Sequence, residues 1–207
     1  LDERWLLPCV TKAAQGKGNF FTREHFERLV AADKPVWILN VKPEDLADSA
    51  ELQEYIRFGE ARGYHQRYLT KKRNPWYLTE QRPPAPIWAS TFNRGMIRFI
   101  RNEAGVSNLT AFHSVYVHDE AHIDLLMAYF LTDVSKEIME DNRRDYGGGL
   151  RKFEPHDIQN AQVVDVERLP AAMREEVLST YRAYRSSGAP KHVARLNALF
   201  LEYMNEG

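Results

Sequence analysis

The run Asn74-Pro75-Trp76-Tyr77 sets a side-chain amide, a proline carbonyl and two aromatic rings side by side. Amide and carbonyl oxygens can accept from an exocyclic amino group while a ring stacks on a base swung out of its duplex, which presents an amine for methylation. That chemistry is built on Asn/Asp-Pro-Pro-aromatic, and here Trp76 stands in place of the second proline. The preceding residues, Leu69-Thr70-Lys71-Lys72-Arg73, lack the apolar run of a buried parallel strand, the usual platform for such a motif. The run therefore reads as a structural or DNA-facing turn, and no catalytic residue is expected on this chain.

Two further constellations carry possible chemistry. His118 and His122 lie four residues apart at a helix start, a spacing that can hold zinc and would suit a metal-dependent hydrolase. However, the intervening glutamate does not adjoin the first His as the protease pattern requires, and no third ligand is evident. Asp119 reads more simply as an N-cap, with Glu120 favoured by the helix dipole, and no metal is expected. Gly147-Gly148-Gly149 permits positive φ and close backbone approach, so its amides could meet a phosphate; the same residues could equally end a helix. No Lys-Ser/Thr pair follows as in a P-loop, but Arg143, Arg144, Arg151 and Lys152 flank the glycines.

The charge distribution is more informative than its total. The 207 residues carry 28 Lys plus Arg and 29 Asp plus Glu, a net of −1. Between residues 57 and 102, Arg57, Arg62, Arg67, Lys71, Lys72, Arg73, Arg82, Arg94, Arg98 and Arg101 face only Glu60 and Glu80, a net of about +8 that leaves about −9 elsewhere. Phe58, Tyr64, Tyr68, Trp76, Tyr77, Trp88, Phe92 and Phe99 interleave with these charges. Cations neutralise phosphates and aromatic faces stack on bases, so a nucleic acid is the expected partner; a solvated basic face over an aromatic core is the plainer alternative.

A hydrophobic content of 43% excludes a disordered chain, and the absence of an 18-residue apolar run excludes a membrane span. The single cysteine, Cys9, excludes an internal disulfide framework and fits a reducing, cytoplasmic setting.

These residues must be positioned by an α+β fold: a mixed, largely antiparallel sheet with packed helices and a helical C-terminal appendage. The pattern predicts strands near residues 5–10, 36–41, 64–70, 87–92, 96–101 and 109–117, with Asn93-Arg94-Gly95 turning a hairpin. Helices are predicted at 23–32 behind Thr22, from Pro43 to a stop at Gly63, and over 120–142 in one piece. Pro75, Pro83, Pro84 and Pro86 force an irregular basic loop between residues 71 and 86. Two tail helices flank Ser186-Ser187-Gly188, and a boundary near residue 165 would separate a DNA target-recognition domain, 1–165, from the appendage, 166–207.

Three segments, in this order and spacing, carry a resemblance. They are Gly59-Glu60 with Tyr64 four residues beyond Glu60, the stretch from Arg73-Asn74-Pro75-Trp76-Tyr77 through Glu80-Gln81-Arg82-Pro83-Pro84-Ala85-Pro86, and Tyr146-Gly147-Gly148-Gly149-Leu150-Arg151-Lys152-Phe153-Glu154-Pro155. Over roughly residues 1–165 the chain resembles the C-terminal half of N6-adenine DNA methyltransferases from type II restriction–modification systems, while the last 40 or so residues carry no motif of it. In that family an N-terminal domain binds S-adenosylmethionine and carries Asn-Pro-Pro-Tyr/Phe, and the C-terminal domain reads DNA.

The resemblance implies a bacterial, sequence-specific DNA-recognition domain whose partners are double-stranded DNA and a catalytic domain absent from this chain. It also implies that S-adenosylmethionine serves the intact enzyme and is not bound by this fragment. The expected DNA-binding residues are Lys71, Lys72, Arg73, Trp76, Tyr77, Gln81, Arg82, Asn93, Arg94, Arg98, Gly147, Gly148 and Lys152. Arg side chains suit guanine edges or phosphates, and Gln81 and Asn93 suit adenine. A stand-alone nucleic-acid-binding or specificity subunit is the nearest alternative.

Overall fold

The computed structural model describes residues 1–80, 82–141, 144–146 and 150–206. Its centre is a four-stranded sheet in the order β2-β6-β4-β8, formed by Phe20–Phe21, Phe99–Asn102, Ile87–Ser90 and Phe112–Val115. Strand β4 runs antiparallel to β6 and β8, with Trp88 opposite Ile100 and Ser114; β2 joins β6 in parallel. Alternate side chains of a strand point to opposite faces, and both faces are apolar here. Ile87, Ala89 and Phe99 enter one core, and Trp88 and Ile100 the other.

The first core is closed by helices. Phe99 stacks on Phe130 of α4 (Ile123–Phe130) with centroids 4.0 Å apart. Val177 and Tyr181 of α7 (Ala171–Ser187) and Leu196, Leu199 and Phe200 of α8 (Pro190–Glu206) join the same core, so the tail helices and the sheet share one buried interior. The second core sets Trp88 between Phe21 and Phe112, at 5.2 and 5.5 Å. Phe26 of α1 (Arg23–Ala31), Val10 of β1 (Leu6–Val10) and Val36 complete it. A second sheet, β3-β1-β7, uses Trp37–Leu39 and Ser107–Asn108 as its outer strands. A third, β5-β10-β9, joins Phe92–Asn93, Leu150–Lys152 and Arg144–Tyr146. The mixed α+β class is therefore as the pattern predicts.

Local competition for hydrogen bonds overrides several expected elements. The helix expected over 120–142 begins as a 3-10 turn, Glu120–His122, and breaks between α4 and α5 (Asp133–Glu140). At the break, buried Thr132 donates from Oγ1 to Tyr129 O at 2.6 Å and accepts from Ser135 N at 3.2 Å. Asn197 of α8 accepts from Asp133 N at 2.7 Å, so a tertiary contact reinforces the break. The helix expected from Pro43 likewise splits into α2 (Pro43–Ala47) and α3 (Ala50–Ala61), because Ser49 caps Leu52 N. The strand expected at 64–70 does not form. Gly63, at φ +71°, ends α3, and two 3-10 turns, Tyr64–Gln66 and Thr70–Lys72, take its place. Among the described residues, no helix is long and apolar enough to cross a membrane.

Because Thr132 serves both helices, Thr132→Ala is expected to destabilise the protein by about 1–2 kcal/mol. Urea unfolding checks this, and an unchanged midpoint would contradict the role given to Thr132.

Candidate nucleic-acid interface

The basic stretch is organised by contacts that run from its loop back to α3. Thr70 Oγ1 donates to the carbonyl oxygen of Tyr64, and Lys71 N donates to Arg67 O at 2.9 Å, folding the segment on itself. Arg73 Nη1 reaches Leu78 O at 3.0 Å, and Leu78 N reaches Pro75 O at 3.1 Å across the turn that follows a cis Asn74–Pro75 bond. Trp76 ties this turn to the helix. Its Nε1 donates to Glu60 Oε1 at 3.2 Å, and its ring fills the space a Cβ would occupy on buried Gly59, where Cη2 would lie only 2.6 Å away. Gly59, Glu60, Tyr64, Arg73 and Trp76 thus form one assembly although the sequence separates them. Trp76 holds this assembly together, so the Asn74-Pro75-Trp76-Tyr77 run shapes a turn. Burial and the nearby Glu60 and Glu44 carboxylates push the half-buried Tyr77 phenol above its ordinary pKa, keeping it a neutral donor.

Rings on this module carry cations. The Arg62 guanidinium lies 4.9 Å from the Phe58 ring centroid and that of Arg67 lies 4.4 Å from Tyr64. Lys72 Nζ stands 4.0 Å over Tyr68 and donates to its hydroxyl at 2.8 Å. Among the described residues, Arg57, Arg62, Arg67, Lys71, Lys72 and Arg73 have no carboxylate partner. Arg62 and Arg67 are absent from the sequence-based set of contacts. Their signal is the aromatic residue four or three positions earlier, a spacing that brings side chains together on a helical turn.

The other expected contacts divide. Arg82 is exposed and pairs with Glu80 at 2.5 Å. Arg94 is exposed, and Arg98 is half-buried with its pKa lowered by burial. Both amide atoms of Asn93 are used locally: Oδ1 accepts from Ser90 Oγ at 2.6 Å and Nδ2 donates to Ser90 O at 3.1 Å. Lys152 pairs with Glu154 and sits 5.5 Å from the Phe92 centroid, on the small sheet where β10 meets β5. Asn93, Arg94 and Lys152 therefore belong to the β5–β10 region, and Lys71 to Tyr77 to the α3 module. Gln81, Gly147 and Gly148 lie outside the described residues.

His118 is exposed, while His122 Nδ1 lies 3.4 Å from Glu167 and 3.9 Å from Asp119, whose carboxylate caps the turn by accepting from Ala121 N. Among the described residues, no group of three His, Cys, Asp or Glu is arranged to hold a metal ion.

A family model, "Type II methyltransferase M.Eco57I, C-terminal domain", matches residues 2–197. The chain belongs to this family. The match runs past residue 165 into both tail helices, correcting the expectation that the resemblance stops there. The type II methyltransferase M.AccI of Acinetobacter calcoaceticus is 44% identical over 189 residues, which are 89% of this chain and 34% of that protein. M.XamI of Xanthomonas campestris pv. amaranthicola, also a type II methyltransferase, is 26% identical over 174 residues, 83% of this chain and 32% of that protein. The chain thus spans about a third of the length of these relatives. The fold is shared with the type IIG restriction endonuclease BpuSI, at a TM-score of 0.54 and 16% identity over 88% of this chain and 21% of that one.

Gly59→Ala is expected to cost about 1–3 kcal/mol, because the new methyl group meets the Trp76 ring. In a Trp76→Leu background the same change should cost much less. A double-mutant cycle by urea unfolding measures this coupling, and additive costs would contradict the Gly59–Trp76 contact.

Proposed function

We propose that this chain reads DNA sequence as the C-terminal part of a site-specific DNA adenine-N6 methyltransferase of a restriction–modification system. The observation that carries the reading is the α3 module: Arg57, Arg62, Arg67, Lys71, Lys72 and Arg73 have no carboxylate partner among the described residues, and three of them lie over aromatic rings. Unpaired cations on one surface repel each other, and a polyanion relieves that repulsion while releasing its own counterions. A guanidinium stacked on a ring keeps its edge donors available, so Arg62 and Arg67 can still pair bidentately with phosphate or guanine. The β5–β10 region, with Arg94 exposed, supplies a second set of contacts. Gln81, Gly147 and Gly148 are further DNA contacts in this reading.

In the intact enzyme, this domain fixes the register on the duplex. The remaining part binds S-adenosylmethionine, takes the adenine out of the stack and transfers the methyl group. The protein acts in the bacterial cytoplasm. Relatives that are themselves methyltransferases give the stand-alone specificity subunit no support.

Replacing Lys71, Lys72 and Arg73 together by Ala is expected to weaken duplex binding. The salt dependence should flatten by about 0.9 log units of slope per lost phosphate contact. Fluorescence anisotropy across a salt series measures both quantities, and unchanged binding by a folded variant overturns the role given to this module. The isolated chain is expected to transfer no methyl group from S-adenosylmethionine to DNA; turnover in a radiolabelled-methyl assay would refute the division of labour.

A further inference from the structure

Between α3 and the Trp76 turn lies an open cleft of about 200 Å³. Its walls include Tyr55, Phe58, Tyr64, Trp76 and Tyr77, with Leu39 of β3 beneath. Thr70 and Arg73 also line it. Tyr55 and Phe58 are 46% and 48% exposed, so these apolar rings face solvent although a folded core lies close by.

The size and composition of the cleft restrict its occupant. Drug-sized ligands occupy pockets of about 300–1,000 Å³, so this space suits a single planar ring system. Rings on several sides favour stacking over aliphatic packing. The surrounding charge is decisive, because Arg57, Arg62, Arg67, Lys71, Lys72 and Arg73 stand on the same module without carboxylate partners among the described residues. An apolar protein segment seated here would have to desolvate or crowd these cations, whereas a nucleotide brings its phosphate to them and its base to the rings.

We propose that this cleft takes one unstacked nucleobase of the bound DNA, held between Tyr55 and the Trp76–Tyr77 turn while the flanking phosphates meet the cations. The proposal rests on the DNA-reading function given above and deepens it: the domain not only tracks the backbone but captures a base displaced from the stack. Displacing a base costs a few kcal/mol in a paired duplex and least where the base has no partner, so an unpaired base exposes the preference most clearly.

The test compares two duplexes of the same sequence, one fully paired and one with a single unpaired adenine at its centre, by fluorescence anisotropy with the full 207-residue chain. The wild-type chain is expected to bind the second roughly tenfold or more tightly, the scale of one base stacked on an aromatic side chain. Tyr55→Ser should remove most of that preference and leave the paired duplex bound within about twofold, whereas Tyr55→Trp should retain it. Circular dichroism confirms that each variant is folded, as expected for so exposed a position. Equal affinity of the wild type for both duplexes overturns the base-capturing cleft while leaving DNA reading intact. A preference that survives Tyr55→Ser also overturns it, because the displaced base is then held somewhere other than this cleft. Failure to bind either duplex overturns the cleft and the DNA-reading function together.

Discussion

Two-faced burial of the β4–β6 pair is the constraint on which the rest of the structure depends. Neighbouring residues of these strands enter different cores, Ile87 and Phe99 on one side and Trp88 and Ile100 on the other. A sheet so covered requires a layer on each face. Helices α4, α7 and α8 supply one, and α1 with the β1 region supplies the other. Buried Asn102 fastens the end of β6 by donating to Ala85 O at 2.8 Å and Val106 O at 2.9 Å. The chain can leave this block only at strand ends, so the basic residues emerge on connections: the α3 module before β4 and the β5–β10 pairing after it.

On the α3 module, holding the turn and presenting charge fall to different residues that lie close in sequence. Gly59, Glu60 and Trp76 use their contacts to hold the turn. Arg62, Arg67 and Lys72 lean on rings and present charge. The resemblance to a methylation motif at Asn74-Pro75-Trp76-Tyr77 therefore has a structural meaning: the residue that departs from the motif is the one that anchors the loop.

Much of this was legible in the sequence, for identifiable reasons. The Thr22 cap and the tail helices around Gly188 follow from local signals that nothing in the tertiary structure opposes. Strands β4 and β6 do pair antiparallel, but Asn93 of the expected tight turn is taken into β5 by its pairing with β10. The basic, proline-broken stretch was visible from charge alone. Residues 64–70 misled because Tyr64 and Tyr68 look like strand residues, whereas their rings receive cations from the following turn and Thr70 closes that turn on the Tyr64 carbonyl. The continuous period of 120–142 concealed a break made by one buried hydroxyl and by Asn197, more than 60 residues away. Asn93 has the chemistry to read adenine, but no sequence pattern shows that Ser90 occupies its amide.

For the DNA partner proposed above, the stacked cations also bear on the entropy of association. A free Lys or Arg side chain gives up about 1.5–2 kcal/mol of rotamer freedom when it is fixed. Arg62, Arg67 and Lys72 have surrendered part of that freedom to Phe58, Tyr64 and Tyr68 before any partner arrives. Their rings act as pre-organising supports, so a larger share of each ionic contact is retained as affinity. In the proposed complex, substituting one of these rings would leave the net charge unchanged and still loosen the grip, a loss that charge counting alone would miss.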